Sequence, residues 1–214
     1  MRKFLIVMAL VAGIALMSGC RNKKELVLYG PGDTKAWETV DTAAQVEYAE
    51  SLRKVELDTS AGKIVIVLYE DRAPVGVANF MQYVEDAFYN GTVFHRIVPG
   101  FVIQGGGFTA DLNEKQTREP ISNEAGNGLR NNRGTLSYAR TMDVNSATSQ
   151  FFINLADNPA LNGDGVNDGY AVFGRVTQGM DVVDSIAQVE TTNSGGMQGV
   201  PVNPVVILSA KEIQ

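Results

Sequence analysis

Apolar residues along this chain fall mostly into short runs that are separated by turn-forming residues. Residues 64–68, Ile-Val-Ile-Val-Leu, are apolar throughout, which is typical of a strand buried on both faces. The other runs are bounded by glycine, proline and asparagine, which favours short strands joined by turns. The predicted strands cover residues 55–58, 63–69, 94–98, 101–107, 136–140, 150–155, 170–176 and 204–210.

Helical periodicity is found in two places. Pro74 can open a helix at its first turn, where proline is tolerated, and Asn90-Gly91 is a stop signal. Between them an apolar stripe recurs at helical spacing, formed by Val77, Phe80, Met81, Val84 and Phe88. Residues 180–187 predict a second, short helix with Val183 and Ile186 inward. Eight strands and two helices without βαβ alternation predict a mainly β fold, a closed eight-stranded antiparallel barrel capped by the two helices.

The N-terminus has the pattern of a targeting segment. Arg2 and Lys3 precede an apolar run over residues 4–17, which is too short for a comfortable membrane span, and Cys20 follows. This resembles a bacterial lipoprotein signal, although Met17 stands where leucine is usual. An ordinary cleaved signal peptide or an uncleaved anchor remain alternatives.

We therefore predict a signal peptide over 1–19, a lipid-anchored tether over 20–51 and a globular domain over 52–214. Lipidation of Cys20 would place the domain on the periplasmic face of a bacterial membrane. Arg21 favours the outer membrane, by analogy with lipoprotein sorting. The tether carries Trp37, the only tryptophan, which could dock on the domain or bind something else.

The composition of the chain argues against several classes of function. The net charge of −6 and the pI of about 4.9 argue against a nucleic-acid partner, because phosphate binding needs a basic surface. The chain has one histidine and one cysteine, which are too few of the usual ligands for a zinc site made only of protein side chains. Residues 162–169 are rich in glycine and aspartate but lack the closing glutamate of a calcium loop, so we interpret them as a turn. We expect no metal and no cofactor.

One stretch, residues 94–107, concentrates the candidate chemistry. It contains His95, the only histidine, and Arg96 beside it. Arg96 cannot act as a base because guanidinium stays charged, but it can donate several hydrogen bonds and, with Phe101 and Gln104, could hold a carbonyl against an apolar wall. Strand alternation predicts that His95 and Arg96 point to opposite faces. The alternative is a structural salt-bridge arginine and a satisfied core histidine.

Four motifs in this sequence resemble those of the cyclophilin family of peptidyl-prolyl isomerases, most closely its bacterial periplasmic branch. They are Phe-His-Arg-Ile-Val-Pro-Gly-Phe at 94–101, Gln-Gly-Gly at 104–106, Ser-Gln-Phe-Phe-Ile at 149–153 and Val-Phe-Gly-Arg-Val at 172–176. The resemblance extends over residues 52–212.

The resemblance implies roles for individual residues. Arg96 matches the essential arginine of the family. The matching substrate-binding positions are His95, Phe101, Val102, Gln104, Ala139, Arg140, Gln150, Phe152, Leu161 and Tyr170. Among these, Tyr170 replaces a histidine and Arg140 an asparagine of the eukaryotic members.

The implied function is peptidyl-prolyl cis-trans isomerisation that assists the folding of exported proteins at a bacterial envelope membrane. The expected partners are proline-containing polypeptides, and we expect a monomer. A non-catalytic module that binds proline peptides through the same groove is the alternative.

Overall fold

The structure, a computed structural model, describes residues 51–163 and 168–214. The signal peptide, Cys20 and Trp37 lie outside these residues. Ten strands are present in the described residues: β1 Lys54–Thr59, β2 Gly62–Leu68, β3 Thr92–Val98, β4 Val102–Thr109, β5 Thr135–Tyr138, β6 Phe151–Asn154, β7 Val172–Gln178, β8 Thr191–Ser194, β9 Met197–Pro201 and β10 Ile207–Ile213. Two α-helices, α1 Pro74–Glu85 and α2 Met180–Ile186, and a 3₁₀ turn at Pro159–Leu161 complete the described elements.

Eight of these strands form one antiparallel sheet in the order β10-β1-β2-β7-β5-β6-β4-β3, and β8 and β9 form a separate hairpin. The predicted mainly β fold with two helices is confirmed. In the described part of the chain, no helix is long and apolar enough to cross a membrane.

The predicted closed barrel is wrong, because the two edge strands of the sheet, β3 and β10, form no ladder. The segment that leads into β10 contacts β3 at the isolated bridge between Val93 and Val206, and the Gly91 N–H donates to the Ile207 carbonyl. The sheet is therefore a half-barrel. Pro201 and Pro204 precede β10, and proline has no N–H to donate to a ladder. The hairpin strand β9 packs instead against β3.

The buried strand predicted from residues 64–68 is confirmed. Ile64, Ile66 and Leu68 are fully buried, and Val65 and Val67 on the other face are at most 7 % exposed. The strand is covered on both faces, and continuous apolarity is the pattern expected of such a strand.

Helix α1 begins at Pro74, as predicted, but ends at Glu85 rather than at Asn90-Gly91. The chain leaves the helix through Ala87, whose φ is 52°. The Phe88 N–H donates to the Tyr83 carbonyl and the Ala87 N–H donates to the Val84 carbonyl. This is the Schellman pattern, which closes a helix and usually has glycine at the position of Ala87.

The core lies between the sheet and α1. Phe80 projects from α1 into a group of aromatic rings, with ring centroids 5.7 Å from Phe151, 5.2 Å from Phe173 and 5.1 Å from Tyr89. The edge-to-face contact with Phe151 is the geometry that aromatic pairs prefer. Val183 and Ile186 of α2 are fully buried in the same core, as the sequence predicted.

Candidate functional site

Arg96 lies in a row of side chains that crosses three neighbouring strands. It pairs with Gln104 of β4, and Gln104 pairs with Phe152 of β6. Residues directly opposite each other in an antiparallel sheet share a face, so these three residues lie on one face. The adjacent row, Ile97, Ile103 and Ile153, faces the core. The Arg96 row therefore forms the outer surface of the sheet.

A β-bulge in β3 sets the direction of Arg96. Phe94 pairs with Gly105 and Arg96 with Gln104, so His95 is an extra residue. Phe94 and Ile97 both belong to the core, which strict alternation does not allow for residues three apart. The strict alternation that was predicted for this strand is therefore wrong between Phe94 and Arg96, because a bulge shifts the alternation by one residue.

Three polar side chains in this region form a hydrogen-bonded series. Arg96 Nη1 approaches Gln104 Oε1 at 3.5 Å, at the limit of a hydrogen bond, and Gln104 Nε2 donates to Gln150 Oε1 at 3.0 Å. Gln150 comes from the segment just before β6. All three are half-buried, so they are partly open to a ligand.

Arg96 forms no ion pair within residues 51–163 and 168–214. The salt-bridge interpretation of this arginine therefore has no support among the described contacts. Its long, weak contact with Gln104 leaves most of the guanidinium donors available to a ligand, since guanidinium carries five N–H groups.

An apolar wall adjoins this polar series. Phe152 contacts Tyr170 edge to face at 5.7 Å between ring centroids, and the Arg140 guanidinium lies 4.6 Å from the centroid of the Tyr170 ring. The Arg140 Nε and Nη2 atoms also donate to the Gly169 carbonyl, at 3.1 and 2.9 Å. The Arg140 side chain is therefore held along one side of the wall.

The remaining predicted groove residues lie on the segments that border this surface. The Ala139 N–H donates to the Gln150 carbonyl at 3.0 Å, and the Tyr170 N–H donates to the Leu161 carbonyl at 2.9 Å. Phe101 is half-buried in the turn between β3 and β4, where its carbonyl accepts a bond from the Leu155 N–H. These contacts bring Ala139, Leu161 and Phe101 toward the row that contains Arg96 and Phe152.

Val102 and His95 differ from the other candidates because they are buried. Val102 is 2 % exposed and His95 is 3 % exposed, so neither offers much surface to a ligand. The His95 ring packs against Phe108, with ring centroids 4.6 Å apart. Burial lowers the pKa of His95 to about 4, although the nearby Val93 carbonyl raises it and Arg96 lowers it further. His95 is therefore neutral at physiological pH, and a general-acid role has no support.

The sequence did not point to Asn131, which supports the groove from behind. Asn131 is 1 % exposed, and its Nδ2 donates to the carbonyls of Leu161 and Tyr170, at 3.0 and 3.2 Å. Its Oδ1 accepts bonds from Ser137 and Asn154. The one signal in the sequence was Asn154, a polar residue that follows the apolar residues of β6. A buried amide needs hydrogen-bond partners, and Asn131 is one of the partners of Asn154.

The described residues contain no candidate metal site. No group of three or more histidine, cysteine, aspartate or glutamate side chains in them is positioned to hold an ion. The Asp-rich turn at 162–169 is described only in part, and residues 164–167 lie outside the described residues.

The site around Arg96 consists of one free guanidinium, two amides and an aromatic wall. These groups can bind a peptide and polarise an amide by hydrogen bonding.

Comparison with known proteins shows the family of this chain. The family model for "Cyclophilin type peptidyl-prolyl cis-trans isomerase/CLD" matches residues 54–212. The chain is 57 % identical over 160 residues to peptidyl-prolyl cis-trans isomerase A of Dickeya dadantii, covering 75 % of this chain and 84 % of that protein. It is 52 % identical over 158 residues to peptidyl-prolyl cis-trans isomerase B of Escherichia coli, covering 72 % of this chain and 96 % of that protein.

A solved structure has a similar fold. The crystal structure of a Cryptosporidium parvum cyclophilin type peptidyl-prolyl cis-trans isomerase aligns with a TM-score of 0.64 at 24 % identity, covering 76 % of this chain and 98 % of that one. This likeness concerns the fold alone.

Proposed function

This chain belongs to the cyclophilin-type peptidyl-prolyl cis-trans isomerase family, and we propose that its isomerase chemistry takes place on the surface around Arg96. The observation that supports this location most strongly is the half-buried Arg96 guanidinium. It has no ion-pair partner in the described residues, and it lies beside the amides of Gln104 and Gln150 and the ring of Phe152.

The reaction requires rotation about one bond and no covalent step. Resonance in the X–Pro amide sets a barrier of about 18–20 kcal/mol, and an enzyme lowers it by binding the twisted amide more tightly than either planar form. The twisted nitrogen regains a lone pair, which can accept a hydrogen bond. Arg96 can donate that bond, and a charge-assisted bond made mainly in the transition state suits this purpose.

The other groove residues bind different parts of the substrate. Phe152, with Phe101 and Leu161 beside it, provides an apolar wall for the pyrrolidine ring. Gln104 and Gln150 provide amide groups for the substrate backbone. With the ring held, the carbonyl on the other side of the bond can turn. A thousandfold acceleration requires only about 4 kcal/mol, which a few such interactions can supply.

A protease-coupled assay on a short Xaa-Pro peptide tests this assignment. We expect Arg96→Ala to lose most of the activity. Arg96→Lys should recover little, because an ammonium lacks the planar, multidentate donor geometry. Arg72→Ala serves as the control, since Arg72 is a partly exposed arginine just before α1 that pairs with Asp71. Equal rates for wild type and Arg96→Ala would remove the catalytic role, and peptide binding without any turnover would favour the scaffold alternative.

The proposed setting is the periplasmic face of a bacterial membrane, with the outer membrane favoured, where the enzyme would assist the folding of exported proteins. Support comes from the sequence: Arg2 and Lys3, the apolar run at 4–17 and Cys20. Uncatalysed prolyl isomerisation takes tens to hundreds of seconds, so a catalyst that needs no cofactor would be useful outside the cytoplasm.

Cell fractionation tests the anchor. We expect the wild-type chain to sediment with membranes, because lipid chains bury many methylene groups. Cys20→Ser should release the protein or leave it unprocessed, and globomycin should change the mobility of the wild type only. Identical fractionation and processing of both proteins would contradict lipidation at Cys20.

A further inference from the structure

A second arginine of the groove, Arg140, also lacks an ion-pair partner. Within residues 51–163 and 168–214 no carboxylate pairs with it, and this includes Asp143, three residues further along the chain, and Asp168, next to Gly169. Other arginines of the described domain do form ion pairs with aspartate or glutamate, namely Arg53, Arg72, Arg118 and Arg133. The groove therefore carries two guanidinium charges that have no carboxylate partner in the described residues.

The Arg140 guanidinium is fixed in position by uncharged groups. Its Nε and Nη2 atoms donate to the Gly169 carbonyl at 3.1 and 2.9 Å, and its Nη1 atom donates to the Thr141 carbonyl at 3.0 Å. It also lies 4.6 Å from the centroid of the Tyr170 ring. Carbonyl oxygens and an aromatic face orient a cation but carry no net charge that would cancel it. Since guanidinium has five N–H groups, donors also remain for a ligand.

Contacts on both sides of Arg140 place this charge at the edge of the groove. The Tyr170 ring beneath it contacts Phe152 edge to face, and the N–H of the preceding residue, Ala139, donates to the Gln150 carbonyl. One ring thus separates Arg140 from the apolar wall. Charges at a protein surface interact over about 10 Å at 0.1 M salt. A residue next to a proline on this wall therefore lies within the range of the Arg140 charge.

We propose that this groove prefers proline-containing polypeptides in which an acidic residue, aspartate or glutamate, flanks the proline. The inference rests on the proposed function of the Arg96 surface and adds a class of substrate to it. Two half-buried cations without counter-ions attract a carboxylate, and they repel a lysine or arginine at the same position. The net charge of the chain is −6, so this attraction is local to the groove and does not come from the charge of the whole molecule.

Exchange NMR spectroscopy of short peptides tests the preference, because it measures catalysed cis-trans interconversion without a coupled protease that has its own specificity. Four matched peptides carry glutamate or glutamine either directly before or directly after the proline. We expect kcat/KM for the glutamate peptide to exceed that of the glutamine peptide about fivefold at one flank or both in low-salt buffer. Salt at about 0.5 M should bring this ratio closer to one, because it screens the charges.

Variants of Arg140 separate its charge from its structural role. Arg140→Gln should lower the glutamate-to-glutamine ratio about twofold or more, whereas Arg140→Lys should retain most of it, since lysine keeps the positive charge. The ratio is compared instead of the rate, because a structural effect of the substitution changes both peptides alike. Arg72→Gln is the control, since it removes an arginine that precedes α1 and pairs with Asp71, and it should keep the wild-type ratio.

Equal kcat/KM values for glutamate and glutamine peptides at both flanks would overturn this inference alone, because turnover of the neutral peptides would still support the proposed function. A glutamate preference that Arg140→Gln leaves unchanged would overturn it as well. So would a preference that Arg140→Lys loses to the same extent as Arg140→Gln, since the charge would then not be its cause. If none of the four peptides is turned over, the proposed function is wrong and this inference with it.

Discussion

Gln150 keeps its position beside Gln104 because residue 107 has no side chain. A Cβ on Gly107 would lie 2.5 Å from Cγ of Gln150 and 2.9 Å from its Nε2. Such an approach is far below ordinary van der Waals contact, so Gln150 would have to move. The hydrogen bond between Gln104 and Gln150 depends on this gap.

We predict that Gly107→Ala lowers kcat/KM for an Xaa-Pro peptide by about tenfold, which corresponds to losing one hydrogen bond of about 1.4 kcal/mol. Gly126→Ala is the control, because a Cβ there meets nothing within 4 Å. Steady-state kinetics of both variants measure the effect. Unchanged kinetics in Gly107→Ala would show that Gln150 does not need its present position.

At the scale of elements, helix α1 obtains its N-terminal cap from a distant loop. The residue before the helix, Ala73, has no side-chain cap. Glu124 instead accepts hydrogen bonds from the N–H groups of Val75 and Gly76, at 3.1 and 2.8 Å. A carboxylate at this end of a helix also interacts favourably with the helix dipole.

We predict that Glu124→Ala lowers the free energy of unfolding by about 1 kcal/mol, the usual value of a helix cap. Urea denaturation should show a lower midpoint with the same m value. Glu119→Ala, an exposed carboxylate of the same loop, should be close to wild type. If both variants have equal midpoints, Glu124 does not stabilise the helix.

The element predictions succeeded where the signal was local. The apolar run at 64–68, the stripe that starts at Pro74 and the neighbouring strands predicted at 94–98 and 101–107 each correspond to an element of the structure. The β8–β9 hairpin was missed and read as a loop, because β8 is Thr-Thr-Asn-Ser, polar and mostly exposed. Such a strand has no apolar alternation from which it could be predicted.

At the scale of the whole molecule, buried His95 links stability to pH. Its pKa falls from 6.5 to about 4 in the folded protein, so between these values the unfolded chain binds a proton that the folded chain does not. Stability therefore rises with pH in this window and decreases as the pH falls from about 6.5 to about 4, by on the order of 3 kcal/mol.

We predict that His95→Gln removes this contribution. Because the chain has one histidine, the difference in slope between wild type and variant from pH 6.5 to 5 isolates the contribution of His95 to the pH dependence of stability. Chemical denaturation at several pH values measures the slopes. Parallel stability curves for the two proteins would mean that His95 is not buried in its neutral form.

The sequence by itself determined the fold class, the two helices, most strands and, through the resemblance at Arg96, Gln104 and Phe152, the family. These features follow from local patterns and short motifs, which depend only on residues that are close together in the sequence. Only the tertiary structure decided that the sheet stays open and that a bulge at His95 interrupts the alternation of β3. It also decided that Asn131 and Glu124 stabilise elements that are distant from them in the sequence. Each of these depends on contacts between residues distant in sequence, and such contacts leave no periodic trace in the chain itself.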